Sequence, residues 1–217
     1  MPASDEPSRR RTVLAAVLAG VLAVALAGWV LATRSPGDAE QPPSPRSAAE
    51  AVDLTALRVQ RAAFCDRLGQ TDVRDALDAR VTASDQYRSG ERVRLAPGVA
   101  DVSHEFGCTY RAATGAQARV WVFAEPVSGR EAAGIGRGAR RTSGCRSLDT
   151  RPAFGRSPAG TVCRVTRPSG RQVTLRGLFG NAWLSCQVTS AGSEPRPDLV
   201  RRSSRWCVRV ATALGTS

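Results

Sequence analysis

The sequence predicts an α+β domain, an antiparallel sheet of about five strands with helices packed on one face, in the order α-ββ-α-βββ-α. One N-terminal transmembrane helix precedes it. Three observations carry this. Residues 12–33, TVLAAVLAGVLAVALAGWVLAT, contain no charged residue. The long remainder carries all six cysteines, an even number that suits a disulfide-bonded domain in an oxidising compartment. Along that remainder, helical apolar spacing and strict alternation take turns.

The anchor comes first. At about 1.5 Å per residue, the apolar run Val13–Ala32 reaches about 30 Å as a helix, the thickness of one bilayer core. Arg9, Arg10 and Arg11 precede it, opposed by only Arg34 after it, so residues 1–11 are expected as a short cytoplasmic tail. A cleaved signal peptide is the competing reading, with Ala25-Leu26-Ala27 or Val30-Leu31-Ala32 as cleavage site. The run exceeds the usual h-region of roughly 7–15 residues, which favours retention as a signal-anchor. Arg10-Arg11-Thr12-Val13-Leu14 also resembles a twin-arginine signal, though basic flanking charge explains it as well. Leu26-Ala27-Gly28 opens like a lipoprotein box, but Trp29 stands where the lipidated cysteine would be needed. An indole there suits the outer membrane interface.

Residues 34–50 hold Pro36, Pro42, Pro43 and Pro45 among Ser, Gly and charge, a semi-extended linker without apolar surface to bury. Roughly 165 residues follow, 51–217, enough for one domain with a single core. Leu54, Leu57, Phe64, Cys65 and Leu68 recur at helical steps and predict the first helix. Gly69 ends it, and Thr71 is placed to cap a second, short helix through Ala79. Residues 81–102 are polar and irregular, which reads as a loop with at most a short strand.

From Glu105 the period becomes two. Phe106, Cys108 and Tyr110 share a face, the turn AATGAQ follows, and Arg119–Ala124 is apolar on both sides: a hairpin whose second strand is central. Glu131–Arg141 is predicted helical despite three glycines. Thr161–Arg167, Gln172–Leu178 and Trp183–Thr189, joined by turns, form a meander. Pro195 and Pro197 introduce the last helix, where Leu199, Ser203, Trp206, Cys207, Val210 and Leu214 make one stripe. Arg201, Arg202, Arg205 and Arg209 lie mostly off it.

Cys108 and Cys186 sit on core faces of strands, while Cys65 and Cys207 sit on apolar stripes of helices. Packing helices on a sheet therefore predicts Cys65–Cys108 and Cys186–Cys207, leaving Cys145 and Cys163 to close a loop. No two cysteines have the C-x₂₋₄-C spacing that zinc sites favour, so no metal is expected.

The segments Phe64-Cys65-Asp66-Arg67-Leu68, Thr71-Asp72-Val73 leading to Ala76-Leu77, and Gly107-Cys108-Thr109-Tyr110 before a Val-rich strand resemble an actinobacterial group of secreted lipoproteins of unknown function. The likeness covers mainly Phe64–Ala124. It implies an envelope location and carries over no catalytic residues; the missing lipobox cysteine departs from the group.

The chain has 31 basic side chains, every one arginine, and a net charge of +12. The excess is uneven: residues 35–110 hold nine arginines against twelve acids, residues 111–217 eighteen against five. Such a half attracts polyanions. In an extracytoplasmic domain those are anionic lipid, wall polymer or an acidic envelope protein, and nucleic acid is not expected. Arg201, Arg202, Arg205 and Arg209 are the candidate anion-binding face, since the guanidinium fork suits phosphate and carboxylate.

Catalytic signatures are weak. His104, the single histidine, adjoins Ser103 and Glu105, but adjacency in sequence does not build a nucleophile–base pair. Gly134-Ile135-Gly136-Arg137-Gly138 lacks the strand–turn–helix context of a phosphate loop, and no cofactor motif is read. Trp121, Trp183 and Trp206 are read as core rather than ligand groove. The sequence thus predicts a plasma-membrane, single-pass protein whose exported domain is a binding module without catalysis. An envelope-polymer hydrolase or transferase is the alternative, and a sensor subunit needing a partner for output is a second.

Overall fold

The computed structural model describes residues 52–216, apart from 97, 152, 167 and 168. The anchor at 12–33, the tail before it and the linker at 34–50 lie outside the described residues. Among those described, no helix is long and apolar enough to cross a membrane.

Seven antiparallel strands form the main sheet: β2 (Val81–Tyr87), β5 (Glu105–Ala112), β6 (Gln117–Phe123), β7 (Cys145–Leu148), β8 (Gly160–Thr166), β9 (Ser169–Phe179) and β10 (Ala182–Ala191). Their order across the sheet is β2-β5-β6-β10-β9-β8-β7. Between β2 and β5, β3 (Arg92–Ala96) and β4 (Val99–Val102) make a separate hairpin. The predicted hairpin and meander are all present. Alternation explains them: Cys108 pairs with Val120, Val120 with Cys186 and Cys186 with Leu175, which puts one apolar row on one face.

Three helices pack on this sheet. Helices α1 (Gln70–Leu77) and α3 (Arg196–Leu214) cover the apolar face and touch each other. The predicted stripe of α3, Leu199 to Leu214, is buried throughout, and Trp206 meets Tyr110 edge-on at 6.4 Å. Helix α2 (Gly129–Arg141) packs on the opposite face, so the expected one-sided arrangement of helices is corrected. The reason is a second, smaller core. Leu178 and Trp183 point away from α3 and are sealed with Val127, Ala132 and Ala159, with Ile135 packed against them. One of the three glycines that weaken α2 serves this contact: a Cβ on Gly136 would lie 3.2 Å from the Ala159 Cβ. A capping box, Ser128 with Glu131, holds its N-terminus.

Two further expectations are corrected. Residues 54–68 are not a helix. They form a turn, the two-residue strand β1 (Arg58–Val59) and one short 3₁₀ turn at Cys65–Arg67. Leu54, Val59 and Phe64 enter the core one at a time, and β1 pairs with β11 (Gly215–Thr216) beyond α3. Pairing with β11 holds the segment extended, so its apolar spacing is a matter of core entry points. Residues 81–102, expected as a loop, supply three strands. Their side chains are mostly exposed on both sides, so no apolar period marks them. The cap of α1 is Gly69, which makes no side-chain bond, rather than Thr71.

All three expected disulfides are present: Cys65–Cys108, Cys145–Cys163 and Cys186–Cys207. No described cysteine is free. Cys145 and Cys163 are direct partners on β7 and β8, so the loop they close is bridged across two paired strands. Three bridges of this kind fit an oxidising, non-cytoplasmic compartment.

Candidate functional site

The sheet face opposite α3 is polar, and its register arranges that polarity in rows. One row runs Asp85, Thr109, Arg119, Gln187, Thr174, Thr161 and Ser147 across all seven strands. Beside it run Tyr87, Gly107, Trp121, Ser185 and Arg176. On β5, β6, β9 and β10 these residues alternate with apolar ones directed into the main core, which is why the same strands build both faces. Helix α2 covers the part of this face around Leu178 and Trp183 and reaches β7.

Towards β2 the uncovered face holds a cleft of about 630 Å³ between the sheet and the β3–β4 hairpin. Tyr87, Glu105 and Arg119 form its polar floor. The Tyr87 hydroxyl donates to Glu105 Oε1 at 2.5 Å, and Arg119 Nη2 donates to Tyr87 Oη at 2.9 Å and Glu105 Oε1 at 3.3 Å. The Arg119 guanidinium also lies 4.6 Å from the Trp121 ring centroid, a cation–π contact. Gly107 makes room for this: a Cβ there would fall 2.2 Å from the Tyr87 ring. Burial, then the bond to Glu105, pushes the Tyr87 hydroxyl up to about 12, so it is a donor and not a base at neutral pH. Arg111 pairs with Asp85 at the rim, and Asp101 and Glu125 complete a mixed-charge lining.

His104 is exposed at the same cleft, and its backbone carbonyl accepts from the Ala124 N–H at 2.8 Å. Ser103 is buried, and its hydroxyl donates to the Glu105 carbonyl at 2.9 Å and accepts from the Glu105 N–H at 3.2 Å. The hydroxyl is therefore turned to its own backbone. The glycine run 134–138 lies in the middle of α2, where its amides belong to the helix. Among the described residues, no group of three His, Cys, Asp or Glu is placed to hold a metal.

The four arginines of α3 do not form one open face. Arg202 is buried on the inner side, bonded to Glu194 and to the Ala76 carbonyl, which corrects its expected place off the stripe. Arg209 bridges to α1 through Asp72 at 2.5 Å and Asp75 at 3.1 Å, and Arg201 pairs with Asp198. Arg205 is exposed, without a carboxylate partner among the described residues. The acids contributed by residues before and at the start of α3 are what consume this charge.

Trp183 and Trp206 are core, as expected, whereas Trp121 is half-buried on the polar face. Tyr87, Glu105, Arg119 and Arg176 were missed by sequence reasoning. The signal was present: Gln117, Arg119, Trp121 and Phe123 interleave with Ala118, Val120 and Val122, a half-polar strand rather than one apolar on both sides. No family model matches the chain, and no curated protein is similar to it.

Proposed function

We propose that the chain is a membrane-anchored binding module of the cell envelope, non-catalytic, which holds its ligand against the uncovered polar face of the sheet. Residues 12–33 are the single span, with residues 1–11 cytoplasmic and residues 34–50 the linker that lifts the domain off the membrane. The observation that carries the binding reading is the asymmetry of the sheet. One face is closed by α1, α3 and their core; the other keeps rows of guanidinium, hydroxyl and amide groups around an open cleft. A cleft with a few convergent polar groups beside aromatic rings is the ordinary form of a binding site. Anionic lipid, wall polymer and an acidic envelope protein are the ligand classes that a strongly basic exported domain meets.

The test is co-sedimentation of the purified domain, residues 45–217 with its disulfides intact, with wall fragments and with anionic or neutral vesicles over a salt series. Retention on one anionic partner, weakening with salt and without release of soluble fragments, is expected. Arg111→Gln with Arg119→Gln should weaken it more than Arg201→Gln with Arg205→Gln. The opposite order moves the site to α3. Release of soluble wall fragments establishes the hydrolase instead, and no retention on any partner rejects binding.

A further inference from the structure

We infer that the chain carries a second site, at the β7–β8 end of the polar face, which binds a phosphoryl oxyanion through Arg176. The site is a separate cavity of about 440 Å³, lined by Arg176, Arg164, Thr161, Gln172, Thr142 and Ser143, with the Cys145–Cys163 bridge as one wall. Its composition sets it apart from the larger cleft. That cleft mixes four carboxylates with three arginines and a histidine; this cavity has two arginines and no carboxylate. The buried Arg202 is matched by Glu194 and the half-buried Arg119 by Glu105, whereas no carboxylate lines the cavity beside Arg176.

Arg176 is half-buried on β9, and its guanidinium has one hydrogen bond among the described residues, from Nη1 to Thr161 Oγ1 at 3.1 Å. Burial lowers its affinity for the proton without any neighbouring acid to restore it. A guanidinium held in that state retains free donors at the cavity it lines, and an anion supplies what the fold withholds. The surrounding groups are suited to it. Thr161 is buried, and Thr174 beside it already accepts from Gln172 Nε2 and Gln187 Nε2, both at 3.3 Å, which fixes those amides in the plane of the face. Thr142 and Ser143 follow α2 directly and bring two more hydroxyls to the lining. The negative end of the α2 dipole is also there, offset by Arg140 and Arg141 in its last turn.

Several donors from different directions match a tetrahedral group with three or four oxygens better than a planar carboxylate with two. The ligand chemistry is therefore a phosphate, either free or at the head of a lipid. The site stands on this geometry alone and does not depend on the anchor or on the larger cleft.

The experiment titrates the disulfide-intact domain, in chloride buffer, with inorganic phosphate and glycerol 3-phosphate by calorimetry. Parallel arms use vesicles of phosphatidylglycerol or phosphatidylcholine. Saturable binding of the soluble phosphates, or retention by phosphatidylglycerol vesicles alone, is expected, and the pattern across arms names the source. Arg176→Gln should weaken whichever binding is seen by about tenfold or more, the scale of a lost charge-assisted contact, while Arg130→Gln on the outside of α2 leaves it unchanged. Should Arg176→Gln lose its cooperative melt, Thr161→Val combined with Arg164→Gln reads the same cavity and should weaken binding likewise. Undiminished binding in a folded variant of either kind overturns the proposal, as does the absence of saturable binding in every arm.

Discussion

Tyr87 shows how much a single side chain takes from its neighbours. Burial raises its pKa first, the bond to Glu105 raises it further, and Arg119 pulls it down. Tyr110, the other tyrosine of the chain, is also raised, by burial and then by the charge of Asp66. A native titration followed by phenolate absorbance should therefore show both phenols ionising above the ordinary value of about 10, Tyr87 at about 12. Glu105→Gln should lower the Tyr87 midpoint, and Arg119→Gln should raise it. The sign for stability follows from proton counting. Between about 10 and about 12 the unfolded tyrosine has lost its proton while the folded one keeps it, so the folded state binds more protons and stability falls as pH rises. A wild-type phenolate signal with its midpoint at 10 in the folded protein would sink this account. None of it could be read from the sequence, because Tyr87 lies on a strand whose neighbours are nearly all exposed and meets Arg119 only through β5 between them.

At the scale of elements, legibility followed the contrast between the two sides of each segment. Strands β5, β9 and β10 alternate between a buried and a polar side, and their place in a hairpin and a meander was readable from that, whereas β6 was recognised as a strand but its polar side was not. Strand β2 has no apolar side to bury, so only its pairing to β5 makes it a strand. The stretch from Leu54 to Leu68 misled in the other direction: apolar residues at helical spacing were separate entries into the core by an extended chain. The site was less legible than the fold, because Arg119 and Arg176 become neighbours of one polar face only once β10 is inserted between their strands. Helix α2 is the element whose local sequence argues most against it. Gly134, Gly136 and Gly138 each disfavour a helix interior by roughly 1 kcal/mol relative to alanine. Its start is correspondingly dependent on the Ser128 hydroxyl, which accepts from the Glu131 N–H at 3.3 Å. Ser128→Ala should cost about 1 kcal/mol, the usual order for a lost N-cap. Amide exchange should place the loss in α2, with the β5–β6 amides unaffected. Unchanged exchange in the first turn of α2 would show that the cap contributes nothing.

The whole molecule is held by three bridges that act on different layers. Cys65–Cys108 ties the irregular first segment to β5, Cys186–Cys207 ties α3 to β10, and Cys145–Cys163 joins the two outer strands at one edge. Their sequence separations are 43, 21 and 18 residues. On the chain-entropy model these give about 4, 3 and 3 kcal/mol, too close together to rank them. Burial ranks them instead. Cys186 and Cys207 are both fully buried between α3 and the sheet, whereas Cys145 and Cys163 are half-buried at the edge, where water reaches a replacement side chain. Two serine hydroxyls in the first position would be sealed in the main core beside Ser203, whose own hydroxyl already lacks a partner there. At the edge they would be hydrated. Double replacement by serine should therefore leave the Cys145/Cys163 variant folded, with a loss of about 2–4 kcal/mol, while the Cys186/Cys207 variant loses more. Double replacement by alanine separates the two contributions: it removes the buried hydroxyls, so the gap between the two sites should narrow without closing. Urea midpoints of the four variants, taken with the remaining bridges confirmed intact by mass spectrometry, decide the matter. Equal losses at both sites, or a larger loss at the edge, would mean that loop closure rather than burial governs how this fold uses its disulfides.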